Sequence, residues 1–255
     1  MGGLSGRHAF ITGGSGGIGS ATALALAGHG ANVTLAGRDR SRLDRAAEAI
    51  GSACVVTVDV RDETSVKHAF DQAREKFGDV DILVNAAGYA HSAPVKRTSL
   101  DAWREAIEVN LTGTFLCCRE AVGPMIDARY GRIVNVASTA ALRGYRYVAA
   151  YCAAKHGIVG LTKALALESA ASNVTVNAVC PGYTQTPMLD ESIANIVAKT
   201  GKSAAEARDA LLKETPRGIF VHPSDVAAAV AWLCLPGAEA VTGQAISVDG
   251  GELAG

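Results

Sequence analysis

His8-Ala9-Phe10-Ile11-Thr12 runs straight into Gly13-Gly14-Ser15-Gly16-Gly17-Ile18-Gly19, and an alanine-rich stretch continues to about residue 29. A short apolar run, a glycine-packed turn and a helical pattern make a strand–loop–helix unit. Glycines let a backbone come close to an anionic group, and the following helix N-terminus adds partial positive charge. Many glycine clusters are only tight turns. Placed between the first strand and the first helix, this one reads as a pyrophosphate cradle made by Gly13, Ser15, Gly16, Gly17, Ile18 and Gly19. It lacks a Lys followed by Ser or Thr, which disfavours a P-loop.

The same unit repeats outward. Apolar runs at His8–Thr12, Asn32–Ala36, Cys54–Val58, Val80–Val84, Arg132–Ala137, Val174–Val179 and Ala245–Val248 alternate with helical stretches near 17–29, 41–50, 63–77, 99–128, 150–171 and 223–234. Runs that are apolar throughout fit strands buried on both faces. The alternation predicts an α/β fold: a Rossmann-like, doubly wound parallel sheet of about seven strands with helices on both faces. No linker or repeat divides the chain, so residues 1–255 read as a single dinucleotide-binding domain. One insertion breaks the rhythm at 184–216, where two helices are expected near 187–199 and 203–214. Met188, Leu189, Ile193, Ile196 and Val197 give the first an apolar side. A long excursion at a strand's carboxyl end suits a substrate lid, with a packing or oligomer helix as the alternative.

Composition narrows the class. Lys plus Arg total 24 against 25 Asp plus Glu, and no polybasic run argues for nucleic acid or an anionic membrane as partner. The six cysteines form neither a Cys-x-x-Cys pair nor a Cys/His cluster, so reduced thiols in a cytoplasmic protein with no metal site are expected. No signal pattern or membrane-length apolar run is present.

The ends of the next strands bear on the ligand. Leu35-Ala36-Gly37-Arg38-Asp39 places Gly37 where a ribose-binding carboxylate would stand, and Arg38 follows with two donors suited to a phosphate. This favours NADP over NAD, although Asp39 turning inward, or Arg38 remaining a solvated charge, would favour the reverse. Asp59, next to Val60, is placed to accept from an adenine amino group or to cap the next helix, since Asp62 and Glu63 follow. Asn85-Ala86-Ala87-Gly88 offers small residues across which a cofactor can lie.

The chemistry sits between Ser138, at the end of the fifth run, and Tyr151-Cys-Ala-Ala-Lys155. Tyr151 and Lys155 are four residues apart on one helix face. An ammonium beside a phenol lowers its pKa and fits it for proton transfer near neutrality.

These residues resemble a known family. Thr-Gly-x-x-x-Gly-Ile-Gly at 12–19, Asn-Ala-Ala-Gly at 85–88, Asn110, Ser138, Tyr151-x-x-x-Lys155 and Pro181-Gly182 stand in the order and spacing of the short-chain dehydrogenases/reductases, over nearly the whole chain. Ala86 replaces a second Asn that many members carry. The resemblance implies Tyr151 as the proton donor in reduction and base in oxidation, and Lys155 as the holder of the nicotinamide ribose and tuner of Tyr151. It also implies Ser138 on the substrate carbonyl and Asn110 holding a water in a proton relay. Pro181, Gly182 and Thr184, with Thr186 as a further contact, would lie against the nicotinamide carboxamide.

Substrate contacts are expected from His91, Arg143, Tyr145 and Tyr183, with Leu142, Arg146 and Tyr147 overhanging. The two arginines could meet a phosphate or carboxylate, or equally remain rim charges; His91 and His156 read as packing or surface residues rather than catalytic ones, because Tyr151 already serves as acid. Asn135–Thr139, Lys155–Gly160, Thr162–Leu165 and Ala178–Gly182 resemble bacterial 3-oxoacyl and aromatic-polyketide ketoreductases. The lid resembles that of 3-hydroxybutyrate dehydrogenases, which grip a free carboxylate with polar residues. Here the matching positions are Ala90, Ala140, Val148 and Ser192, and only His91 remains. A buried carboxylate without donors is costly, so a bulkier ketone, including an acyl thioester, is preferred. The expectation is an NADPH-dependent ketoreductase. An NAD-dependent secondary-alcohol or 3-hydroxyacyl-CoA dehydrogenase and a non-catalytic dinucleotide-binding regulator are the alternatives. Apolar faces near 105–128 and 150–171, by resemblance, imply a homotetramer.

Overall fold

The computed structural model describes residues 3–254. Strands β1 (His8–Thr12), β2 (Asn32–Gly37), β3 (Cys54–Thr57), β4 (Ile82–Asn85), β5 (Gly131–Val136), β6 (Val174–Pro181) and β7 (Ala245–Val248) form one sheet in the order β3-β2-β1-β4-β5-β6-β7. Every pairing is parallel. The chain therefore reverses its winding between β1 and β4, where a doubly wound sheet opens its ligand crevice.

Both sheet faces are covered, as the unbroken apolar runs require. On one side α1 (Gly17–Gly28), α2 (Arg40–Glu48) and α9 (Pro223–Cys234) bury Ala9, Ile11, Leu35 and Val84. On the other, α3 (Glu63–Phe77), α5 (Gly113–Asp127) and α6 (Ala149–Ser169) bury Phe10, Leu83, Ile133 and Val176. Phe10 stacks on Phe70 with ring centroids 4.2 Å apart. Local chemistry sets the helix starts: Asp39 caps α2, Asp62 caps α3, and Ser99 caps α4 (Leu100–Ile107).

The single helix expected over 99–128 is instead α4 and α5 joined by a π turn at Glu108–Thr112. The Asn110 side chain donates to the Ala106 carbonyl at 2.8 Å, taking an acceptor that an α-helix would give to its own backbone. At the end of the turn, a Cβ on Gly113 would stand 2.7 Å from Val60, so only glycine lets this segment close onto the end of β3.

The insertion forms α7 (Pro187–Thr200) and α8 (Ala204–Leu212). Gly201 ends α7 in the left-handed region at φ +70°, and a Ser203–Glu206 capping box starts α8. An isolated bridge between Thr184 and Val221 closes the base of the excursion. Leu189 is the apolar residue of α7 that is fully packed away, while Met188, Ile193, Ile196 and Val197 are half-buried along the same side.

Candidate active site

The crevice begins where β1 and β4 part. The Thr12 hydroxyl accepts the backbone N–H groups of Ala86 and Ala87 at 3.1 and 3.2 Å, holding Asn85–Gly88 against the glycine turn. Gly13 has φ +63°, and a Cβ there would lie 2.7 Å from the Ala86 carbonyl oxygen. A Cβ on Gly19 would strike the Gly13 carbonyl oxygen. Gly17 leaves room for Thr186, at the entry to α7, whose methyl would lie 2.6 Å from a Cβ there.

The turn fits a dinucleotide phosphate. The N-cap of α1 is Gly16, which supplies no side-chain cap, and no acidic residue lies in the first turn. The first-turn amides, from Gly17, Ile18 and Gly19, are thus left without intrahelical partners and face the crevice end of the helix. Ser15 borders a groove of about 410 Å³ between α1 and α2 that Arg42 and Arg45 also line.

At the end of β2, Asp39 does not turn inward. Its carboxylate accepts from the Arg42 backbone N–H at 3.0 Å and the Ser41 hydroxyl at 2.8 Å, which hold it below the usual carboxylate range. Arg38 is exposed and, among the described residues, has no hydrogen bond or ion pair. At the end of β3 the two readings of Asp59 separate. Asp62 caps α3, while Asp59 pairs with Arg61 at 2.6 Å, chiefly through that hydrogen bond held below its ordinary pKa. Val60 is buried against Gly113. Asn85 lies inside, donating to Asn135, which donates to Thr162, each at 2.9 Å. Its Oδ1 is buried without a partner.

Ser138, Tyr151 and Lys155 come together at the end of β5. Ser138 begins a short 3₁₀ turn at Thr139–Ala141, accepting from the Ala140 N–H at 3.1 Å, and its hydroxyl acts on the Tyr151 phenol by favouring the phenolate. Lys155 is 3 % exposed. Its Nζ donates to the Val136 carbonyl at 2.8 Å and lies 5.5 Å from the centroid of the Tyr151 ring. That bond uses one of three donors, so two remain for hydroxyls in the crevice. Gly88 keeps that space open, because a Cβ there would sit 3.9 Å from Nζ and 3.3 Å from Asn110 Oδ1.

One expectation changes here. The phenol is not lowered: burial pushes Tyr151 up to about 12, against the opposing pull of the Ser138 side chain. Desolvation outweighs an ammonium that points at the Val136 carbonyl rather than at the phenol. The Asn110 carboxamide is committed to protein partners. Nδ2 donates to Tyr89 O at 2.7 Å and to Ala106 O, and Oδ1 accepts from Tyr89 N–H at 3.3 Å. It pins the segment after β4 beside Lys155.

Around this centre, Gly182 hydrogen-bonds the Val248 carbonyl at 3.1 Å just past Pro181, and the Thr184 hydroxyl donates to Gly182 O at 2.9 Å. Tyr183 is half-buried, with edge contacts to Tyr145 at 6.5 Å and Phe220 at 6.4 Å. His91 is exposed on the loop after β4. That loop meets both other rims, through Lys199 donating to Ser92 O at 2.5 Å and Ala93 N–H donating to Tyr147 O at 2.8 Å. Arg146 is exposed, whereas Arg143 is already paired with Glu214 and Glu252. Tyr145 is bonded to Glu252 and Thr139. Glu252 carries no motif that sequence reading could have singled out. His156 bonds the Cys152 carbonyl of its own helix.

A family model described as Enoyl-(Acyl carrier protein) reductase matches residues 13–252. With it, the chain belongs to the short-chain dehydrogenase/reductase family and is an oxidoreductase of hydroxyl and ketone groups. Among its relatives, a 3-oxoacyl-(acyl-carrier-protein) reductase FabG of Thermotoga maritima is 36 % identical over 252 residues, 97 % of this chain and 98 % of that one. A D-beta-hydroxybutyrate dehydrogenase of Cupriavidus necator is 37 % identical over 256 residues, covering 98 % and 99 %. A crystal structure of a variant actinorhodin polyketide ketoreductase with NADPH superposes with a TM-score of 0.93 at 38 % identity, covering 98 % of both chains.

The buried amine has a measurable signature. Burial lowers Lys155 from 10.5 to about 8. Between those values the unfolded chain binds the extra proton, so stability rises with pH across the window. Against Lys155→Met, the wild-type protein should gain up to about 3 kcal/mol between pH 7.5 and 10 in denaturant titrations. A difference that stays constant with pH would contradict this.

Proposed function

We propose that the protein is an NADPH-dependent ketoreductase that reduces a 3-oxoacyl or polyketide-like ketone to a secondary alcohol. The observation that carries the reading is the buried Lys155 amine on one helix face with Tyr151, with Ser138 at the end of the neighbouring strand β5. NADPH, when bound, supplies the hydride. Ser138 donates to the ketone oxygen and stabilises the charge that develops there. Tyr151 then gives its phenolic proton to the same oxygen, and Lys155 limits the cost of the phenolate left behind. A phenol raised to about 12 stays protonated at neutral pH, which suits the donor of a reduction. Asn110 and Gly88 keep the approach to Lys155 open.

Arg38, unpaired beside Gly37, and Asp39, spent on its helix cap, support a 2′-phosphate over a free 2′-hydroxyl. The pyrophosphate falls to the glycine turn, the adenine to Asp59 and Val60, and the carboxamide to Pro181, Gly182 and Thr184. Substrate walls come from His91 and Tyr183, with Leu142 and Tyr147 at the rim. Ala140 is apolar and buried, and the Ser192 hydroxyl is bonded to Met188 O at 2.8 Å within its own helix. Neither supports a grip on a short free acid, which favours a bulkier ketone or an acyl thioester. Phe115 on α5 and Leu167 on α6 are 42 % and 85 % exposed, and they support association of these helices in a homotetramer.

Tyr151→Phe should abolish ketone reduction, by at least about a hundredfold, while NADPH fluorescence still reports binding; retained turnover would exclude Tyr151 as donor. Arg38→Asp should reverse the cofactor preference in steady-state assays with NADPH and NADH, and a wild type that prefers NADH would refute the phosphate role. Light scattering should give four times the chain mass of 26.1 kDa, and a monomer would refute the assembly.

A further inference from the structure

Three segments far apart in sequence meet behind the catalytic serine. The first is Thr139–Tyr145, which directly follows Ser138. The second is Glu214–Arg217, where the chain returns from α8. The third is the turn Asp249–Leu253 near the C-terminus, closed by the Asp249 carboxylate accepting the N–H groups of Gly251 and Leu253, each at 3.0 Å.

Their meeting point is ionic, with one carboxylate shut away from water. Arg143 Nη2 donates to Glu252 at 2.9 Å and to Glu214 at 3.1 Å. The Glu252 side chain is 0 % exposed. The same carboxylate oxygen that meets Arg143 also accepts from the Tyr145 hydroxyl, which lies 2.8 Å from Thr139 Oγ1. The other oxygen of Glu252 is buried without a partner, in the space Gly182 leaves by having no Cβ, which would come within 2.8 Å of it. Arg217 N–H bonds Gly250 O at 3.3 Å, fastening the lid's return to the C-terminal turn.

We propose that Arg143 and Glu252 are positioning residues that latch the lid to the Ser138 loop, so that the two walls of the ketone pocket hold or release together. This rests on the ketoreductase reading for its kinetic part only. A surface ion pair contributes little to stability, but one whose carboxylate is sealed from water leaves a costly unpaired charge when broken. Arg143 has both carboxylates as partners and is not available as the grip for a substrate anion.

The test compares wild type with Arg143→Met, Arg143→Lys and Glu252→Gln. In hydrogen–deuterium exchange of the free protein, Arg143→Met should raise uptake in 187–214 and in 139–147 together, and Arg143→Lys should restore most of the protection. kcat/KM for an uncharged ketone should fall about ten- to a hundredfold, carried mainly by KM, with NADPH affinity within about twofold. Glu252→Gln, which keeps the size and one acceptor, guards against a simple folding defect and should show the same paired exchange, more weakly. Exchange rising in the serine loop alone would overturn the latch. A loss of affinity confined to anionic ketones would overturn it too, making Arg143 a substrate ligand. If no ketone is reduced by the wild type, the functional reading fails, while the paired exchange still decides the latch.

Discussion

A positive charge held out of water is what the rest of the molecule is built to tolerate. Lys155 lies in α6, against the end of β5, with one backbone carbonyl as its partner. Desolvation of an ammonium costs several kcal/mol, and one neutral hydrogen bond does not offset that. The offset comes from the remainder of the domain: a central parallel sheet sealed on both faces, with α6 packed along β6 and unable to move the amine outward. Two donors of that amine have no partner among the described residues and point to the space where the crevice opens.

The crevice exists because adjacent strands lead their chains to opposite faces. Thr12 sits at this divide, and its hydroxyl holds the start of the loop after β4 while the glycine turn departs the other way. Residues around it are small for steric reasons, with backbone atoms passing within contact distance where side chains would ordinarily stand. The α7–α8 excursion is tied to the same divide, since Thr186 at the start of α7 fills the gap left at Gly17.

Much of this was written locally in the sequence. β1 and β7 lie where their apolar runs predicted, and α3 and α9 span the expected residues, because Asp62 and Pro223 mark their beginnings. The Ser138, Tyr151 and Lys155 constellation was legible from spacing, and the structure brings its members together. What escaped depends on distant partners. Arg143 and Glu252 are 109 residues apart, and nothing near either announces the other. The raised phenol of Tyr151 reflects desolvation by the elements that close around it, which a spacing of four cannot disclose. The break at Glu108–Thr112 contains neither proline nor glycine, and Asn110 acts there through the carbonyl of Tyr89, outside the helix.

That break also works as a phase shifter. An α-helix advances about 100° per residue, and a π turn accommodates one residue more than an α turn in its ring. Everything downstream is therefore rotated about the axis relative to an uninterrupted rod. Leu116, Cys117 and Ala121 face the sheet only because of that offset. The segment is thus constrained as a unit: drawing Glu108–Thr112 into regular α turns with every residue kept would rotate the inner side of α5 by about 100° towards solvent, far from any reacting atom.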